Sequence, residues 1–146
     1  MEKSKVVVHF SDGKLIKGFT EDFFPNKERF HLVPSDNPSG GAIEVSTKGL
    51  KAIFIVRDFI GDSLYNERKK YTEGEKPSGK KVEVTFMDGE VLVGSTLGYD
   101  PKRQGFFIFP ADPKSDNIRV YAVSSGVKKS AMHNSTPRFF YNLSLS

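Results

Sequence analysis

The chain has 146 residues, with 22 Lys or Arg against 18 Asp or Glu and a formal net charge of +4 at pH 7. This length suits one ordinary domain or two very small ones. The absence of cysteine excludes a disulfide framework and a thiolate metal site. No stretch approaches the roughly 18 apolar residues of a membrane span, and the charged start lacks the apolar segment of a signal peptide. We therefore expect a cytoplasmic protein without a membrane partner, whose mild basic excess favours a surface charged for solubility.

Two segments of the chain repeat each other. KVVVHFSDGKLIKG (residues 5–18) and KVEVTFMDGEVLVG (residues 81–94) align at a shift of 76 residues, and the shift continues to match glycines, prolines and aromatic residues. After one deletion the shift becomes 75. The matches at this second shift are Ile43 with Ile118 and Val45 with Val120. The pattern predicts an internal duplication of a unit of roughly 50–55 residues.

Each copy is predicted to form five β-strands, because apolar and polar residues alternate with period two between turn residues. The strands predicted in the first copy are Val6–Phe10, Leu15–Thr20, Phe30–Val33, Ile43–Ser46 and Ala52–Val56. Those predicted in the second copy are Val82–Phe86, Val91–Thr96, Phe106–Phe109, Ile118–Val123 and Val127–Met132.

The glycines of the repeat predict sharp changes of chain direction. Asp12-Gly13 and Asp88-Gly89 indicate hairpin turns, because glycine adopts positive φ at low cost. Gly18 and Gly94 indicate a bend or bulge within each second strand. Five short strands with a bent second strand favour a small curved barrel. One such barrel would bury only about 60% of its unfolded surface, so two packed copies gain a shared interface.

The predicted domain organisation has four parts. Residues 1–60 form the first small β-barrel and residues 81–134 the second. The polar linker, residues 61–80, has a capping sequence for a short helix. The C-terminal segment, residues 135–146, alternates like a strand, which would add to an open edge of its own barrel or of a neighbouring molecule. A flexible tail is the alternative.

The repeat resembles the Sm-like family of small barrels. The resemblance rests on apolar alternation followed by Asp12-Gly13, Gly18 and Phe30, on the same pattern in the second copy, and on the Val45–Leu50 segment. It implies an all-β protein of two tandem five-stranded, strongly bent Sm-like or SH3-like barrels. The Asn with which RNA-binding members contact a base is missing from both copies, so their base-reading pocket is not carried over.

The chain is also similar to an uncharacterised bacterial family with this doubled arrangement. The similarity covers about residues 5–133 and is carried by FIVRDFIGDSLYNERKKY (residues 54–71) and GFFIFPADPKSDNIRVYAV (residues 105–123). The similarity implies the doubled architecture but no established activity. Separately, we expect the module to act in the bacterial cytoplasm, in the context of a signalling system.

No motif indicates an enzyme, a metal or a cofactor. His9, His31 and His133 lack the spacing of metal ligands. The chain has no nucleophile elbow and no cysteine nucleophile. The glycine-rich stretch of residues 38–42 does not open a helix, so it is expected to be a loop rather than a phosphate cradle. We expect no catalytic residues, no metal and no cofactor.

Two regions are candidates for partner binding. The linker combines basic and aromatic residues in the style of nucleic-acid contacts, with a solvated linker as the alternative. The strand around Phe107 and Phe109 is apolar on both faces, like residues 53–56, so the two strands either meet and are buried or leave an apolar groove for a partner. The candidate partner-binding residues are Tyr65, Arg68, Lys69, Lys70, Tyr71, Phe107 and Phe109.

These features favour a non-catalytic binding or scaffold module that mediates protein–protein interaction. The alternative is an Sm-like module that binds RNA or another nucleic acid. The identity of the partner protein and the formation of a homo-oligomer stay open.

Overall fold

The computed structural model describes residues 2–60, 71, 79–100, 102–133 and 140–144, and within them it contains eleven β-strands and two short 3-10 turns. The strands are β1 Ser4–Phe10, β2 Leu15–Thr20, β3 Arg29–Pro34, β4 Ile43–Ser46, β5 Leu50–Val56, β6 Lys80–Phe86, β7 Val91–Thr96, β8 Gly105–Pro110, β9 Asn117–Val123, β10 Val127–His133 and β11 Phe140–Ser144. The turns are Pro38–Gly40 and Ser124–Gly126. The predicted all-β class is confirmed, and each strand predicted in the two copies is present with ends at most two residues away. No helix in the described part of the chain is long and apolar enough to cross a bilayer.

All strands belong to one antiparallel sheet with the order β11-β10-β6-β7-β8-β9-β5-β1-β2-β3-β4. The first half of the molecule (β1–β5) and the second half (β6–β10) are joined where β9 pairs with β5. The ladders of the described strands leave β4 and β11 as the two ends of this sheet, so it is open. Within the predicted C-terminal segment, residues 140–144 form β11, which pairs with β10 of its own chain.

The two halves contain matching ladders. Gly18 lies opposite Pro34 in the first half and Gly94 opposite Pro110 in the second, an offset of 76 (94 − 18). Beyond β3 and β8 the offset becomes 77. Phe30 pairs with Val45 in the first half, and its equivalent Phe106 pairs with Ala122 in the second, so Val45 corresponds to Ala122. The predicted alignment of Val45 with Val120 is therefore wrong by two residues. A slip of two keeps every side chain on its face, so the alternation in the sequence could not reveal it.

The paired glycines of the repeat have equivalent structural roles in the two halves. Gly13 and Gly89 have φ of 94° and 93°, which confirms the two predicted hairpin turns. In the described ladders no register shift occurs at Gly18 or Gly94, so the predicted bulge is wrong for these two positions. Glycine is needed there because a Cβ at either position would clash with a backbone carbonyl oxygen of the next strand. Only glycine allows β3 and β8 to approach so closely.

The two apolar cores lie on opposite faces of the central β5–β9 pair. Ile53 and Tyr121 face the first core, whereas Phe54 and Val120 face the second. All seven residues of β5 are buried, because one core covers each face of this strand. Full burial of a side chain such as Phe54 contributes about 1.5–3 kcal/mol, so the junction stabilises both halves together.

The expected direct meeting of β8 with β5 is wrong, because β9 lies between them. Phe106 and Ile108 are nevertheless buried in the second core, which they share with Phe54. Phe107 is half-buried, and the side chain of Phe109 is 36% exposed. The strand therefore meets both expectations in part: Phe106 and Ile108 are buried on one face, and on the other Phe107 packs against the first core while Phe109 is exposed.

A buried lysine also connects the halves. Lys51 on β5 donates to Asp88 Oδ2 at 2.7 Å and to the Glu90 carboxylate, both at the hairpin turn of the second half. Burial alone would lower the pKa of Lys51, but the hydrogen bonds to Asp88 and Glu90 outweigh it and raise this pKa. Lys128, which holds the corresponding position on β10, is exposed.

Candidate functional site: an open groove beside β8

A groove of about 1120 Å³ lies at the junction of the halves. Its walls are the loop from β7 to β8, the outer face of β8 and β9, and the Pro25–Asn26 stretch of the first half. Leu97 and Phe109 expose apolar surface at this groove, with 72% and 36% of their side chains accessible. The groove therefore combines a large volume with exposed apolar side chains.

The floor of the groove is aromatic and carries a positive charge. The Phe107 ring packs edge-on against Tyr121, with ring centroids 5.0 Å apart. The Arg119 guanidinium lies 4.8 Å from the centroid of the Phe107 ring. Burial raises the pKa of Tyr121, so its hydroxyl stays neutral at physiological pH. None of the ion pairs within the described residues involves Arg119.

Gln104 fixes one end of the groove by linking the two halves. Its Nε2 donates to the carbonyl oxygens of Pro25 and Lys27, both at 2.8 Å. Its Oε1 accepts a hydrogen bond from Thr47 Oγ1 at 3.1 Å. Because these contacts hold the first-half loop against the second half, the groove exists only when both halves are folded.

The backbone of Phe107 faces the groove. The Ser124 N–H donates to the Gln104 carbonyl oxygen at 2.8 Å, so Gln104 and Ser124 form a hydrogen-bonded pair. Hydrogen-bonded and non-hydrogen-bonded pairs alternate along an antiparallel ladder, so Phe107–Tyr121, three pairs further along, is a non-hydrogen-bonded pair. The N–H and C=O of Phe107 thus point away from β9. On that side the ladder with β7 ends at Ser95–Phe109. The described residues give the Phe107 N–H no hydrogen-bond partner.

In the first half, the corresponding edge of β3 has its backbone donor satisfied by a side chain. His31 occupies the position of Phe107, and its backbone N–H donates to Asp22 Oδ1 at 2.8 Å. The His31 ring contacts Asp22 Oδ2 through Nδ1 at 2.6 Å. Gly98 stands where Asp22 would be in the second half, and a Cβ built on Gly98 meets no atom within 4 Å. One edge is therefore closed by a carboxylate and the other is open.

The directions of the pKa shifts of Asp22 and His31 agree with an ion pair at this edge. Burial would raise the pKa of Asp22, but the side-chain and backbone hydrogen bonds from His31 outweigh it and lower this pKa. The hydrogen bond to Asp22 raises the pKa of His31. Both shifts favour the charged forms, as expected of a close ion pair.

Tyr99 lines the groove beside Gly98. Its ring packs edge-on against Phe106 at 4.7 Å, as the ring of Phe23 packs against Phe30 at 5.2 Å in the first half. The Tyr99 hydroxyl is buried and has no hydrogen-bond partner within the described ranges. This lone donor increases the number of unsatisfied polar groups at the groove.

The structure brings together only part of the predicted partner-binding set. Phe107 and Phe109 both line the groove, whereas Tyr71 lies beside Lys81, whose Nζ is 4.9 Å from the Tyr71 ring centroid. The predicted linker helix and four of the candidates lie outside the described residues. These four are Tyr65, Arg68, Lys69 and Lys70.

The sequence reasoning missed Leu97, Gly98 and Arg119. A signal for Gly98 was available, because the shift of 76 aligns it with Asp22, an acidic residue replaced by glycine. Its meaning depends on the contact between Asp22 and His31, which the alignment alone does not contain.

His9 and His31 have structural contacts. His9 packs against Phe54 with ring centroids 4.4 Å apart, and His31 binds Asp22. Burial, followed by the charge of Lys51, lowers the pKa of His9. Among the described side chains, no three His, Asp or Glu residues come together as metal ligands would.

Comparison with known proteins gives one match. Residues 2–133 match the family of unknown function DUF6982. Searches of curated proteins and of solved structures found no match. The match includes β1 to β10 and therefore all the residues that line the groove. The chain belongs to DUF6982, a family of unknown function.

Proposed function

We propose that the chain is a non-catalytic binding module that holds an extended segment of a partner protein in the groove beside β8. The observation that carries this proposal is the unpaired edge of Phe107 next to exposed apolar side chains at Leu97 and Phe109. An extended peptide can add to such an edge through its backbone, while neighbouring pockets select its side chains. Exposed apolar residues grouped at a groove are typical of interaction sites.

We also propose that the two halves are tandem Sm-like or SH3-like small barrels that arose by duplication. The matching ladders, the matching positive φ values at Gly13 and Gly89, and the equivalent glycines at positions 18 and 94 support this origin. We place the module in the bacterial cytoplasm, where it would act as a scaffold, for example in a signalling system.

The groove is tested by a charge placed on its rim. Phe109→Asp should melt within a few degrees of wild type, because the Phe109 side chain is already 36% exposed. Affinity purification from the native host, with photocrosslinking at position 97, should then lose the partner that wild type captures. Met87→Asp is the matched control, because Met87 is 65% exposed at the β6–β7 hairpin turn and is not among the residues that line the groove. Equal capture by wild type and Phe109→Asp would exclude the groove as the binding site.

The second candidate function is nucleic-acid binding, and the stacking of Arg119 on Phe107 favours it. An aromatic ring beside a guanidinium is the usual platform for an unpaired base. Oligouridine affinity should then fall steeply with salt, because phosphate binding releases counterions. The absence of binding at 50 mM salt would exclude this function and leave the protein-binding proposal unaffected.

A further inference from the structure

We propose that the groove recognises a carboxylate: the partner segment carries an Asp or Glu side chain that accepts the Phe107 N–H, as Asp22 accepts the His31 N–H in the first half. This inference rests on the proposed protein-binding function and specifies the chemistry of its ligand. The geometry that points to it lies within the molecule itself, because one half already contains the interaction that the other lacks.

The first half shows what fills such an edge. Where the β2–β3 ladder stops, the Asp22 carboxylate takes the place of the next strand residue and accepts the His31 N–H at 2.8 Å. Its second oxygen contacts the His31 imidazole at 2.6 Å. One carboxylate thus satisfies a backbone donor and a side-chain cation together.

The second half presents the same two partners without the acid. The Phe107 N–H faces the groove, and Arg119, which lies on the Phe107 ring, provides the cation that His31 provides in the first half. Gly98 leaves open the space that the Asp22 side chain would occupy. In the proposed complex, a carboxylate of the partner accepts the Phe107 N–H and lies beside the Arg119 guanidinium.

Electrostatics favour an anionic group over a neutral one at this place. Charge-assisted hydrogen bonds between a carboxylate and a guanidinium or backbone N–H are about twice as strong as neutral ones. Arg103 lies on the same groove, and its contact with Asp100 is long, at 4.0 Å. Asp100 also lines the groove, so Arg103 and Arg119 leave it a net charge of +1, which complements an acidic peptide.

A single substitution should supply the missing acid from within the chain. In Gly98→Asp the new side chain enters open space and accepts the Phe107 N–H, as Asp22 does for His31. We expect Gly98→Asp to melt above Gly98→Asn, which has the same shape without the charge. Equal melting temperatures for the two variants would overturn the proposed carboxylate site.

The chain also offers a defined probe. A peptide with the sequence GFTQDFFPN and an amidated C-terminus, which copies residues 18–26 with Gln in place of Glu21, carries the Asp22 carboxylate as its only acidic group. Full-length wild type should bind this peptide about tenfold or more tightly than the peptide with Asn in place of that Asp, because only the carboxylate forms the charge-assisted bonds. Isothermal titration calorimetry measures both affinities.

The Gly98 and Phe109 variants distinguish failure of the carboxylate proposal from failure of peptide binding in the groove. Gly98→Asp should lose the preference for the Asp peptide, because its own carboxylate already occupies the site, whereas Gly98→Asn should keep it. If wild type binds both peptides equally and Phe109→Asp binds neither, the groove binds peptides but does not select a carboxylate, and only this inference fails. If wild type binds neither peptide, or if oligouridine alone binds, the carboxylate site is likewise overturned.

Discussion

The two halves of the molecule share their ladders but differ at one edge. In the first half Asp22 closes the edge of β3 through His31, whereas in the second half Gly98 leaves the edge of β8 open at Phe107. The difference shows that the loop between the second and third strands decides whether a strand edge is satisfied internally. The scaffold is common to both halves, and the open strand edge belongs to the second half alone.

The fifth strands of the halves differ as strongly. β5 reads LKAIFIV and is buried throughout, whereas β10 reads VKKSAMH and exposes Lys128 and Lys129. β5 needs apolar residues on both faces because each face meets a different core. β10 pairs instead with β6 and with the terminal strand β11, and it does not separate two cores.

The largest expected effect comes from giving β5 the character of β10. Phe54 lies opposite Val7, and the corresponding residue Ala131 lies opposite Glu83. Phe54→Ala should lower the free energy of unfolding by about 3–5 kcal/mol, because it removes a buried ring and leaves a cavity. Urea denaturation measures the change. A loss below about 1 kcal/mol would mean that the junction is not a shared core.

The buried lysine gives the next largest effect. Lys51→Met should destabilise the protein by about 1–3 kcal/mol, because Asp88 and Glu90 lose the cation that binds both of them. Lys128→Met at the corresponding exposed position is the control and should change stability by less than about 0.5 kcal/mol. Equal effects of the two substitutions would show that Lys51 does not link the halves.

Opening the first-half edge should have a smaller effect. Asp22→Asn removes the charged acceptor of the His31 N–H and should lower the melting temperature by roughly 2–6 °C. Asp36→Asn on the same half is the control, because Asp36 is exposed. A melting temperature equal to that of wild type would show that the first-half edge does not need its carboxylate.

The smallest effect is the pH dependence of this same pair. The pKa of His31 is raised above its ordinary 6.5, so its contribution is complete below pH 6.5 and is lost as pH rises through the folded value. The pKa of Asp22 is lowered below its ordinary 3.8, so its contribution is complete above pH 3.8 and is lost as pH falls through the folded value. The difference in melting temperature between wild type and Asp22→Asn should therefore be greatest between about pH 4 and pH 6.5. A difference that is constant from pH 3 to pH 9 would contradict the ion pair.

The sequence predicted the strands and turns because their signals are local. Alternation of Val6, Val8 and Phe10 marks a strand, and Asp12-Gly13 marks the turn that follows. Correct alignment beyond the third strand required the ladder between β3 and β4, since a slip of two residues leaves the alternation unchanged. Local signals thus gave the elements but not the pairing partners.

The junction and the groove required long-range information. Residues apolar on both faces indicate that β5 is covered twice, but they do not identify β9 as its neighbour. Phe107 and Phe109 were found as an apolar pair, whereas the open edge depends on Gly98, where a side chain is missing. The absence of a side chain becomes informative only once its counterpart, Asp22, is seen bound to His31.

Amide hydrogen exchange at two backbone positions tests the difference between the halves most directly. The His31 N–H is bonded to Asp22, whereas the Phe107 N–H faces the groove. Exchange followed by NMR in full-length protein should be about tenfold or more faster at Phe107 than at His31, and Gly98→Asp should slow the Phe107 exchange toward that of His31. Protection of Phe107 equal to that of His31 in wild type would contradict an open edge and, with it, the groove as a binding site.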